Sequence, residues 1–376
     1  MKPRARALGL NLPGVTGALN AITDVPNLSV GFSAVNSSDS DSGPKVQTGV
    51  TAIHPRAVAD APAYVWAGQH TLNGNGEMTG CQWIHDAGYF MGPICITNTH
   101  SVGMAHHATL KWMIAQYPEF FAAEHRFVMP VIAETYDGIL NDINGLHITE
   151  EHVLEALTSA SVGPVAEGNV GGGNGMITYE FKAGTGTSSR LVEIDGQPYT
   201  VGVLVQANFG KREDLSVLGV PVGQHLTANT IAEQVAQVAQ VEQGSIIVII
   251  ATDAPLLPSQ LTRLAKRASL GIARTGTIGG HGSGDIFLAL STANAWQPGK
   301  QAPAHMQLTA VNDQQLDTLY RAARDGVEEA IINSMLAGET SVSHRPEGIV
   351  VEAIDHEALM AVMRRYQPTA KGVAAQ

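Results

Sequence analysis

The sequence predicts an α+β protein in which two sheets pack face to face with helices outside them. Short strand patterns occur in runs that paired helical patterns interrupt, which favours this arrangement over a doubly wound parallel sheet. Five β-branched residues in a row, 246–250, indicate a strand buried on both faces. We expect the 376 residues to form a single domain, organised around that strand.

The composition is that of an ordinary globular protein, with 44% hydrophobic and 15% charged residues. The net charge of −12, without any Lys/Arg cluster, argues against a nucleic-acid partner and favours a basic or neutral small substrate. Cys81 and Cys95 are too few for a disulfide framework and have no metal-ligand spacing. No window approaches ~18 uninterrupted apolar residues, and the basic start lacks an apolar signal-peptide core. We therefore expect a cytoplasmic protein with no membrane span.

The first half of the chain alternates short strands, glycine-rich loops and two helices. Residues 73–80 form a glycine-rich loop, and residues 97–101 are dense in hydrogen-bonding side chains. The elements follow from hydrophobic periodicity and turn residues. We predict strands at residues 28–32, 49–54, 63–67, 93–97 and 128–133, and helices at residues 102–117 and 149–159.

In the second half, three alternating patterns come first and predict an antiparallel meander. A capping box, Thr230 to Glu233, then opens a helix whose apolar residues recur up to Val241 and which should end at Gly244. Another helix follows Pro258. The predicted strands lie at residues 176–181, 188–194, 199–205, 246–250, 286–290 and 348–354, and the last two helices at residues 316–336 and 356–365.

Ser245 is the candidate nucleophile, because it stands where that helix ends and the buried strand begins. If the Gly244–Ser245 bond were cut, Ser245 would carry a hydroxyl and a free α-amine of pKa about 8, which can deprotonate the hydroxyl near neutral pH. The same hydroxyl could make the cut by attacking the Gly244 carbonyl, where glycine presents no Cβ. The alternative is purely structural, since Gly often follows a helix and Ser often begins a strand.

Polar residues at other strand ends are further candidates. Glu134 could bind an ammonium group, or it could be a solvated turn acid. Asn208 could donate its amide N–H to an oxyanion, or it could be an ordinary turn residue. Ser283 and Asp285 could orient and polarise Ser245, or they could belong to a structural glycine-rich turn.

The remaining patterns give weaker indications of function than the residues at strand ends do. Tyr136 and the pair at residues 120–121 could shape a substrate pocket or pack in the core. His106 and His107 point to different sides of a helix and no HExxH motif follows, so we expect no metal site. The loop at residues 168–175 lacks a G-x-G-x-x-G sequence between a strand and a helix, which excludes a dinucleotide site. The sequence therefore predicts no cofactor.

Several long motifs, taken together and in order, resemble the family of L-aminopeptidase/D-esterases and β-peptidyl aminopeptidases. The resemblance spans almost the whole chain, from residues 17–24 to the final strand. The motifs are LNGNGEMTG at residues 72–80, ITNTHSVG at 96–103, AETYDG at 133–138, GPVAEGNVGGG at 163–173 and the Gly244–Ser245 pair.

This resemblance implies a four-layer αββα sandwich, similar to N-terminal nucleophile hydrolases but with different strand connectivity. It implies cleavage into an α-chain, residues 1–244, and a β-chain, residues 245–376, which frees Ser245 as the nucleophile. Asn208 then matches the asparagine that stabilises the oxyanion, and Ser283 and Asp285 match a Ser-x-acid pair beside the nucleophile. Glu134 matches the acid that holds the substrate amino group. The acid of the pair can be Glu in β-peptide-cleaving relatives, and Asp285 is one methylene shorter.

The expected function is a self-processing aminopeptidase that acts through a serine acyl-enzyme. Its substrates would be short peptides, amides or esters with a free amino group, carrying a β-amino acid or an L- or D-alanyl residue. One alternative is an acyltransferase of the ornithine acetyltransferase type. Such enzymes resemble proteins with a Thr nucleophile, whereas this chain has Ser245. The other alternative is a non-catalytic binding protein on the same scaffold. The resemblance also implies a homo-oligomer, a tetramer of processed heterodimers.

Overall fold

The strand predicted at residues 246–250 is the most central element of the structure. In a computed structural model, which describes residues 2–37, 43–59, 62–122, 126–234, 244–296 and 304–366, it runs from Ser245 to Thr252 and every residue in it is buried. Strands flank it on both edges, and apolar clusters lie on both of its faces.

Two sheets account for most of the strands. In chain order the strands are β1 Ser29–Asn36, β2 Gln47–His54, β3 Tyr64–Gly74, β4 Tyr89–Met91, β5 Ile94–Asn98, β6 Val131–Thr135, β7 Ile177–Thr178, β8 Phe181–Lys182, β9 Thr185–Ile194, β10 Gln197–Asn208, β11 Ser245–Thr252, β12 Gly284–Trp296, β13 Ser341–Val342 and β14 Val350–Val351. The four-stranded sheet has the order β1-β2-β5-β6, and the six-stranded sheet has the order β4-β3-β12-β11-β10-β9. Neighbouring strands are antiparallel except for the β5–β6 and β11–β12 pairs, which are parallel.

The helices cover the outer faces of the two sheets. They are α1 Cys81–Ala87, α2 Val102–Gln116, α3 Pro118–Ala122, α4 Glu150–Thr158, α5 Ile231–Gln234, α6 Pro258–Ala265, α7 Arg267–Ala273, α8 Leu316–Leu336 and α9 His356–Tyr366. Helices α2 and α4 pack on the four-stranded sheet. Helices α6 and α8 pack on the six-stranded sheet, and α7 packs on α8.

The alternation of side chains along β11 explains the layering. Ile246, Val248 and Ile250 point into the cluster beneath α6 and α8, whereas Ile247 and Ile249 point into the cluster between the two sheets. A strand with an apolar layer on each side needs apolar residues at every position, which is what its sequence supplies. The resulting order of layers is helix, sheet, sheet, helix, and the α+β sandwich predicted from the sequence is confirmed.

Some predicted elements differ from the observed ones. The strand predicted at residues 176–181 is a hairpin of two-residue strands, because Tyr179 and Glu180 adopt left-handed φ angles of 52° and 60° and reverse the chain. Of the strand predicted at residues 348–354, only Val350–Val351 forms. Strand β3 extends into the predicted glycine-rich loop as far as Gly74.

The helix predicted to begin at the capping box starts as expected. The Glu233 N–H donates to Thr230 Oγ1 at 3.0 Å, and the Thr230 N–H donates to Glu233 Oε2 at 3.3 Å. The rest of that predicted helix, residues 235–243, lies outside the described residues. Across the ranges that the structure does describe, no helix has both the length and the apolar character needed to cross a membrane.

Candidate active site

Strand register brings three of the predicted site residues, Asn208, Ser245 and Asp285, to one end of the six-stranded sheet. Asn208 pairs with Ser245 across β10 and β11, and Ser245 pairs with Gly284 across β11 and β12. On the next strand, Asn73 pairs with Asp285. Four neighbouring strands therefore place their polar residues side by side, although these residues are separated by tens to hundreds of positions in the sequence.

Ser245 is buried, with 4% of its surface exposed, and its hydroxyl lies against the peptide bond that precedes it. Ser245 Oγ donates to the Gly244 carbonyl oxygen at 2.7 Å. The backbone N–H of Gly284 contacts the same carbonyl oxygen at 3.0 Å and Ser245 Oγ at 3.3 Å. Two donors thus converge on the Gly244 carbonyl, an arrangement that draws electron density toward its oxygen.

Gly244 fits this position because it lacks a side chain. A Cβ atom there would lie 2.4 Å from the Asn208 carbonyl oxygen and 2.7 Å from Phe209 Cα. Both contacts are closer than van der Waals distance and involve backbone, which cannot rotate away. The close approach of β10 to the Gly244–Ser245 bond therefore requires glycine at position 244. This reason for glycine is independent of the predicted helix end.

The contacts of Asn208 fix which way its amide points. The backbone N–H of Ile177, which can only donate, lies 2.9 Å from Asn208 Oδ1. Asn208 Nδ2 must then lie on the opposite side, where it donates to the Tyr136 carbonyl at 2.8 Å. An amide nitrogen carries two N–H groups, and the described residues provide an acceptor for one of them.

Ser283 and Asp285 form a buried pair at the start of β12. Ser283 Oγ donates to Asp285 Oδ1 at 2.6 Å, and Asn73 Nδ2 donates to Asp285 Oδ2 at 2.9 Å. Sequence reasoning missed Asn73, which lay within the predicted glycine-rich loop. The available signal was its place in the LNGNGEMTG motif, but nothing in the sequence connects it to a residue more than 200 positions away.

Glu134 is buried, with 2% of its surface exposed, so the interpretation as a solvated turn acid is wrong. Its Oε1 accepts the backbone N–H of Glu77 at 2.9 Å, and its Oε2 accepts the hydroxyl of Thr99. Burial raises the pKa of the Glu134 carboxyl, and these two hydrogen bonds offset part of that rise because they stabilise the charged form. Thr99 is a second contact residue that sequence reasoning did not single out.

The Glu134 carboxylate lies close to the nucleophile end of the sheet. A Cβ atom on Gly76 would lie 3.0 Å from Glu134 Oε1 and 3.3 Å from Gly284 Cα. Gly76 therefore lies between this carboxylate and the residue whose N–H contacts Ser245 Oγ. The Glu134 carboxylate and the Ser245 hydroxyl thus lie on either side of the segment formed by Gly76 and Gly284.

Two other candidates have different surroundings. Tyr136 is 45% exposed, and its hydroxyl folds over Gly138, where a Cβ atom would lie 2.3 Å from it. The aromatic pair Phe120 and Phe121 packs with Met113 and Tyr117, which supports the core-packing alternative for that pair. Of these two candidates, Tyr136 contacts a residue of the site, because its carbonyl accepts the amide of Asn208.

Neither a metal centre nor a reactive thiol competes with this site in the described ranges. Among the described residues, no group of three or more His, Cys, Asp or Glu side chains could hold a metal ion. Burial raises the pKa of Cys81 and of Cys95 to about 12, so neither thiol is reactive near neutral pH. A cavity of about 450 Å³ lies at the opposite end of β12, beside Trp296, and contains none of the predicted site residues.

Comparison with known proteins identifies the family. Residues 20–347 match the family model described as peptidase family S58. The chain belongs to this family. The match covers both sheets and all the residues of the site described above, so it applies to the fold and the site together.

Characterised relatives extend over nearly the full length of the chain. The β-peptidyl aminopeptidase BapA of Sphingosinicella microcystinivorans is 47% identical over 97% of this chain and 93% of its own length. The L-aminopeptidase D-Ala-esterase/amidase of Ochrobactrum anthropi, a serine aminopeptidase with a variant of the Ntn hydrolase fold, is 52% identical, with a TM-score of 0.92 over 97% of this chain and 99% of its own. The β-aminopeptidase of a Burkholderia species is 44% identical, with a TM-score of 0.84 over 96% of this chain and 99% of its own.

These findings confirm the fold and the class of enzyme predicted from the sequence. The S58 chain described here is a serine aminopeptidase with a variant of the Ntn hydrolase fold. Peptide or amide substrates agree with this class.

Asp137, which follows Tyr136, is a buried carboxyl that sequence reasoning did not single out. Its Oδ1 accepts the Asn141 amide at 3.1 Å, and burial raises the pKa of the Asp137 carboxyl to about 6 from an ordinary value of 3.8. The folded state therefore binds a proton on the Asp137 carboxyl more tightly than the unfolded state does. The contribution of this proton to stability is fully present below about pH 3.8 and is lost as the pH rises through about 6.

The substitution Asp137→Asn should therefore stabilise the protein at neutral pH. Asparagine resembles the protonated acid and keeps an acceptor for Asn141, and a pKa difference of about two corresponds to ~3 kcal/mol. Thermal unfolding midpoints measured between pH 4 and 8 should show an advantage that grows with pH. Glu119→Gln, which removes an exposed acid, serves as the control. An advantage of equal size at pH 4 and pH 7 would contradict the assignment.

Proposed function

We propose that this aminopeptidase cleaves its own chain between Gly244 and Ser245, and that the released Ser245 then removes N-terminal residues from short peptides, amides or esters. The observation that carries the proposal is the geometry at the bond itself. Ser245 Oγ lies at the Gly244 carbonyl, and the Gly284 N–H already binds that carbonyl oxygen.

The self-cleavage step follows from these contacts. Ser245 Oγ attacks the Gly244 carbonyl carbon and gives up its proton for transfer to the Ser245 nitrogen, while the Gly284 N–H stabilises the negative charge on the carbonyl oxygen. The C–N bond then breaks, the Ser245 nitrogen gains a proton, and an ester joins Gly244 to Ser245 Oγ. Water hydrolyses this ester to a Gly244 carboxylate and a Ser245 residue with both a free hydroxyl and a free α-amine.

Turnover uses the same hydroxyl on a substrate carbonyl. The α-amine takes the proton of Ser245 Oγ as the hydroxyl attacks, and later gives a proton to the leaving group. Asn208 pairs with Ser245 across the two strands. The amide N–H of Asn208 that is not bonded to the Tyr136 carbonyl stabilises the oxyanion. Water then releases the acyl group from the acyl-enzyme.

Glu134 holds the substrate ammonium. Its carboxylate uses one acceptor position on each oxygen for Glu77 and Thr99, which leaves further lone pairs for a charged donor. A buried, ionised carboxylate attracts an ammonium strongly, because water does not screen the pair. This requirement selects substrates with a free amino group and disfavours cleavage of internal peptide bonds.

The class of acyl group is proposed from the relatives together with the site. Their names describe β-peptidyl and L-aminopeptidase or D-Ala-esterase/amidase activities. We propose that this chain accepts β-amino acyl, L-alanyl or D-alanyl groups. A panel of a β-homoamino acyl amide, an L-alanyl amide and a D-alanyl amide, compared by kcat/KM, would rank the three. Neither alternative predicted from the sequence, the acyltransferase nor the non-catalytic binding protein, gains support from the comparisons.

The order of strands bears on what happens to the fragments. Strands β11 and β12 belong to residues 245–376, whereas their neighbours β10 and β3 belong to residues 1–244. The two central strands of the second fragment therefore lie between strands of the first. Separating the fragments would break both ladders and expose the apolar faces of β11.

We also propose assembly into a tetramer and a cytoplasmic location. The first rests on the family resemblance and the second on composition, and light scattering of the purified enzyme would test the first.

Wild-type protein should consist of two fragments, residues 1–244 and 245–376, that stay associated. Ser245→Ala should remain a single full-length chain without activity, because it lacks both the attacking hydroxyl and the mature nucleophile. Ser245→Cys should cleave more slowly, since a thiol remains nucleophilic but differs in size and pKa. Intact-mass spectrometry under denaturing conditions, with size-exclusion chromatography under native conditions, gives both readouts. A single full-length mass in fully active enzyme would overturn the self-cleavage mechanism.

Asn208→Ala should lower kcat by roughly 10²–10³, the usual loss for one oxyanion donor. It should also cost about 1–3 kcal/mol of stability, because the Ile177 N–H and Tyr136 carbonyl lose their buried partner. Activity is therefore expressed per folded, processed enzyme. Asn208→Asp is the matched variant, since it keeps an acceptor for Ile177 but lacks the donor, and it should lose a similar factor in kcat. An active Asp variant would show that the amide N–H is not required.

Glu134→Gln should lower kcat/KM for free-amine substrates by roughly 10–100-fold, because a hydrogen bond between two charged groups contributes about 1.5–3 kcal/mol. Cleavage of its own chain should be unaffected, since that step involves no ammonium. Glu77→Gln is the control: it removes a nearby negative charge but keeps the backbone N–H that binds Glu134. The idea fails if Glu134→Gln processes aminoacyl p-nitroanilides as well as wild type does.

A further inference from the structure

We propose that Asn73 is a positioning residue for the Ser283–Asp285 pair, and that it acts from the first fragment on the second. The inference rests on the proposed role of this pair beside Ser245. Asn73 lies outside the set of site residues predicted from the sequence. The proposal gives this residue of the glycine-rich loop at residues 73–80 a defined role in the reaction.

The Asn73 amide lies among three acceptors, one carboxylate oxygen and two backbone carbonyls. Asn73 Nδ2 lies 2.9 Å from Asp285 Oδ2, 3.1 Å from the Gly279 carbonyl and 3.4 Å from the Gly280 carbonyl. All three partners are acceptors, so the nitrogen of the amide must face them and the orientation of the side chain is determined. One amide therefore ties the carboxylate to the loop that leads into it.

Both carboxylate oxygens of Asp285 accept a hydrogen bond from a side chain. Oδ1 accepts the Ser283 hydroxyl at 2.6 Å, and Oδ2 accepts Asn73 at 2.9 Å. A carboxylate held at both oxygens by different donors cannot rotate freely, and a short aspartate side chain has few other ways to move. With its proton directed to Asp285, Ser283 Oγ presents lone pairs to any third group, which is how a residue orients the hydroxyl or amine of a nucleophile.

The pairing of β3 with β12 has a local irregularity next to Asp285. Asp285 pairs with Asn73 and Ile286 pairs with Thr71, so Leu72 is an extra residue in β3, and it is exposed. A bulge of this kind re-aims a side chain and is common beside active sites. Because paired residues project to the same face, the Asn73–Asp285 pairing places the amide and the carboxylate together while the rest of β3 keeps its core register.

Asn75 provides a matched control on the same segment. Its Nδ2 donates to the Gly282 carbonyl at 2.8 Å, and its backbone N–H donates to the Ser283 carbonyl at 3.3 Å. Its side chain thus holds the same loop as Asn73 does, but through a backbone carbonyl and not through Asp285. An effect that depends on the carboxylate should appear for Asn73 and not for Asn75.

A double-mutant cycle tests the proposal. The variants are Asn73→Ala, Asn75→Ala and Asp285→Asn, with each alanine change also made in the Asp285→Asn background. The measurements are kcat and KM for an aminoacyl p-nitroanilide, per processed enzyme, and the half-time of chain cleavage by intact mass. Asn73→Ser, which keeps one donor, runs in parallel in case the alanine variant folds poorly, and melting temperatures report the folding of each.

The expected result is non-additive for Asn73. Asn73→Ala should lower kcat by roughly 10-fold or more with little change in KM, since it removes a donor to a charged group. In the Asp285→Asn background the same change should cost less than about twofold, because the group it positions is already altered. Asn73→Ser should fall between wild type and Asn73→Ala. Asn75→Ala should have the same proportional effect in both backgrounds.

Two other results would overturn the inference, and they differ in what else they overturn. If the Asn73→Ala and Asp285→Asn losses multiply, Asn73 supports the loop only structurally, and the proposed function of the pair stands. If Asp285→Asn leaves both kcat and the cleavage half-time unchanged, the pair has no role in the chemistry, so the proposed function of Ser283 and Asp285 fails together with the inference about Asn73.

Discussion

The register of strand β11 is the constraint on which the site depends. Ser245 is its first residue, and pairing on both edges places it beside Asn208 and Gly284 at once. Because both faces of the strand are apolar, the register is held by the close fit of its side chains in the two clusters and by pairing on both edges. The most strongly packed element of the fold thereby sets the position of one hydroxyl group, without any flexible loop in between.

The polar side of the site is built from groups that are buried but paired. Glu134 has the Glu77 N–H and the Thr99 hydroxyl, and Asp285 has Ser283 and Asn73. Burying a carboxylate without such partners would be very unfavourable, and the raised pKa of Glu134 shows that its partners compensate only in part. The remaining deficit favours the arrival of a positively charged group. The proposed selection of substrates with a free amine would therefore follow from the same burial that raises the pKa of Glu134.

Elements with a strong local signal were predictable from the sequence, and contacts between distant segments were not. Helix α8 has the predicted bounds, since an apolar periodicity over 21 residues leaves little ambiguity. The reversal at Tyr179 escaped prediction, because consecutive left-handed residues in a β-rich stretch are set by tertiary contacts. Ser245, Asn208 and Glu134 were predictable as polar residues at strand ends, the family resemblance favoured their functional interpretation, and the structure supplies their geometry. Asn73, Thr99 and Asp137 gain meaning only once distant strands are aligned.

Strands β11 and β12 lie between strands of residues 1–244, and with the proposed cut after Gly244 this has a consequence for how the protein can fold. Before the cut, the chain can assemble its sheet as one molecule, with both halves at a high effective concentration. After the cut, an unfolded enzyme would have to find its other half by diffusion, while β11 and β12 expose open edges that favour aggregation. If the chain is cut as proposed, the covalent link would assist folding once and would then be lost on activation. Longevity of the mature enzyme then becomes a matter of slow unfolding and not of repeated refolding.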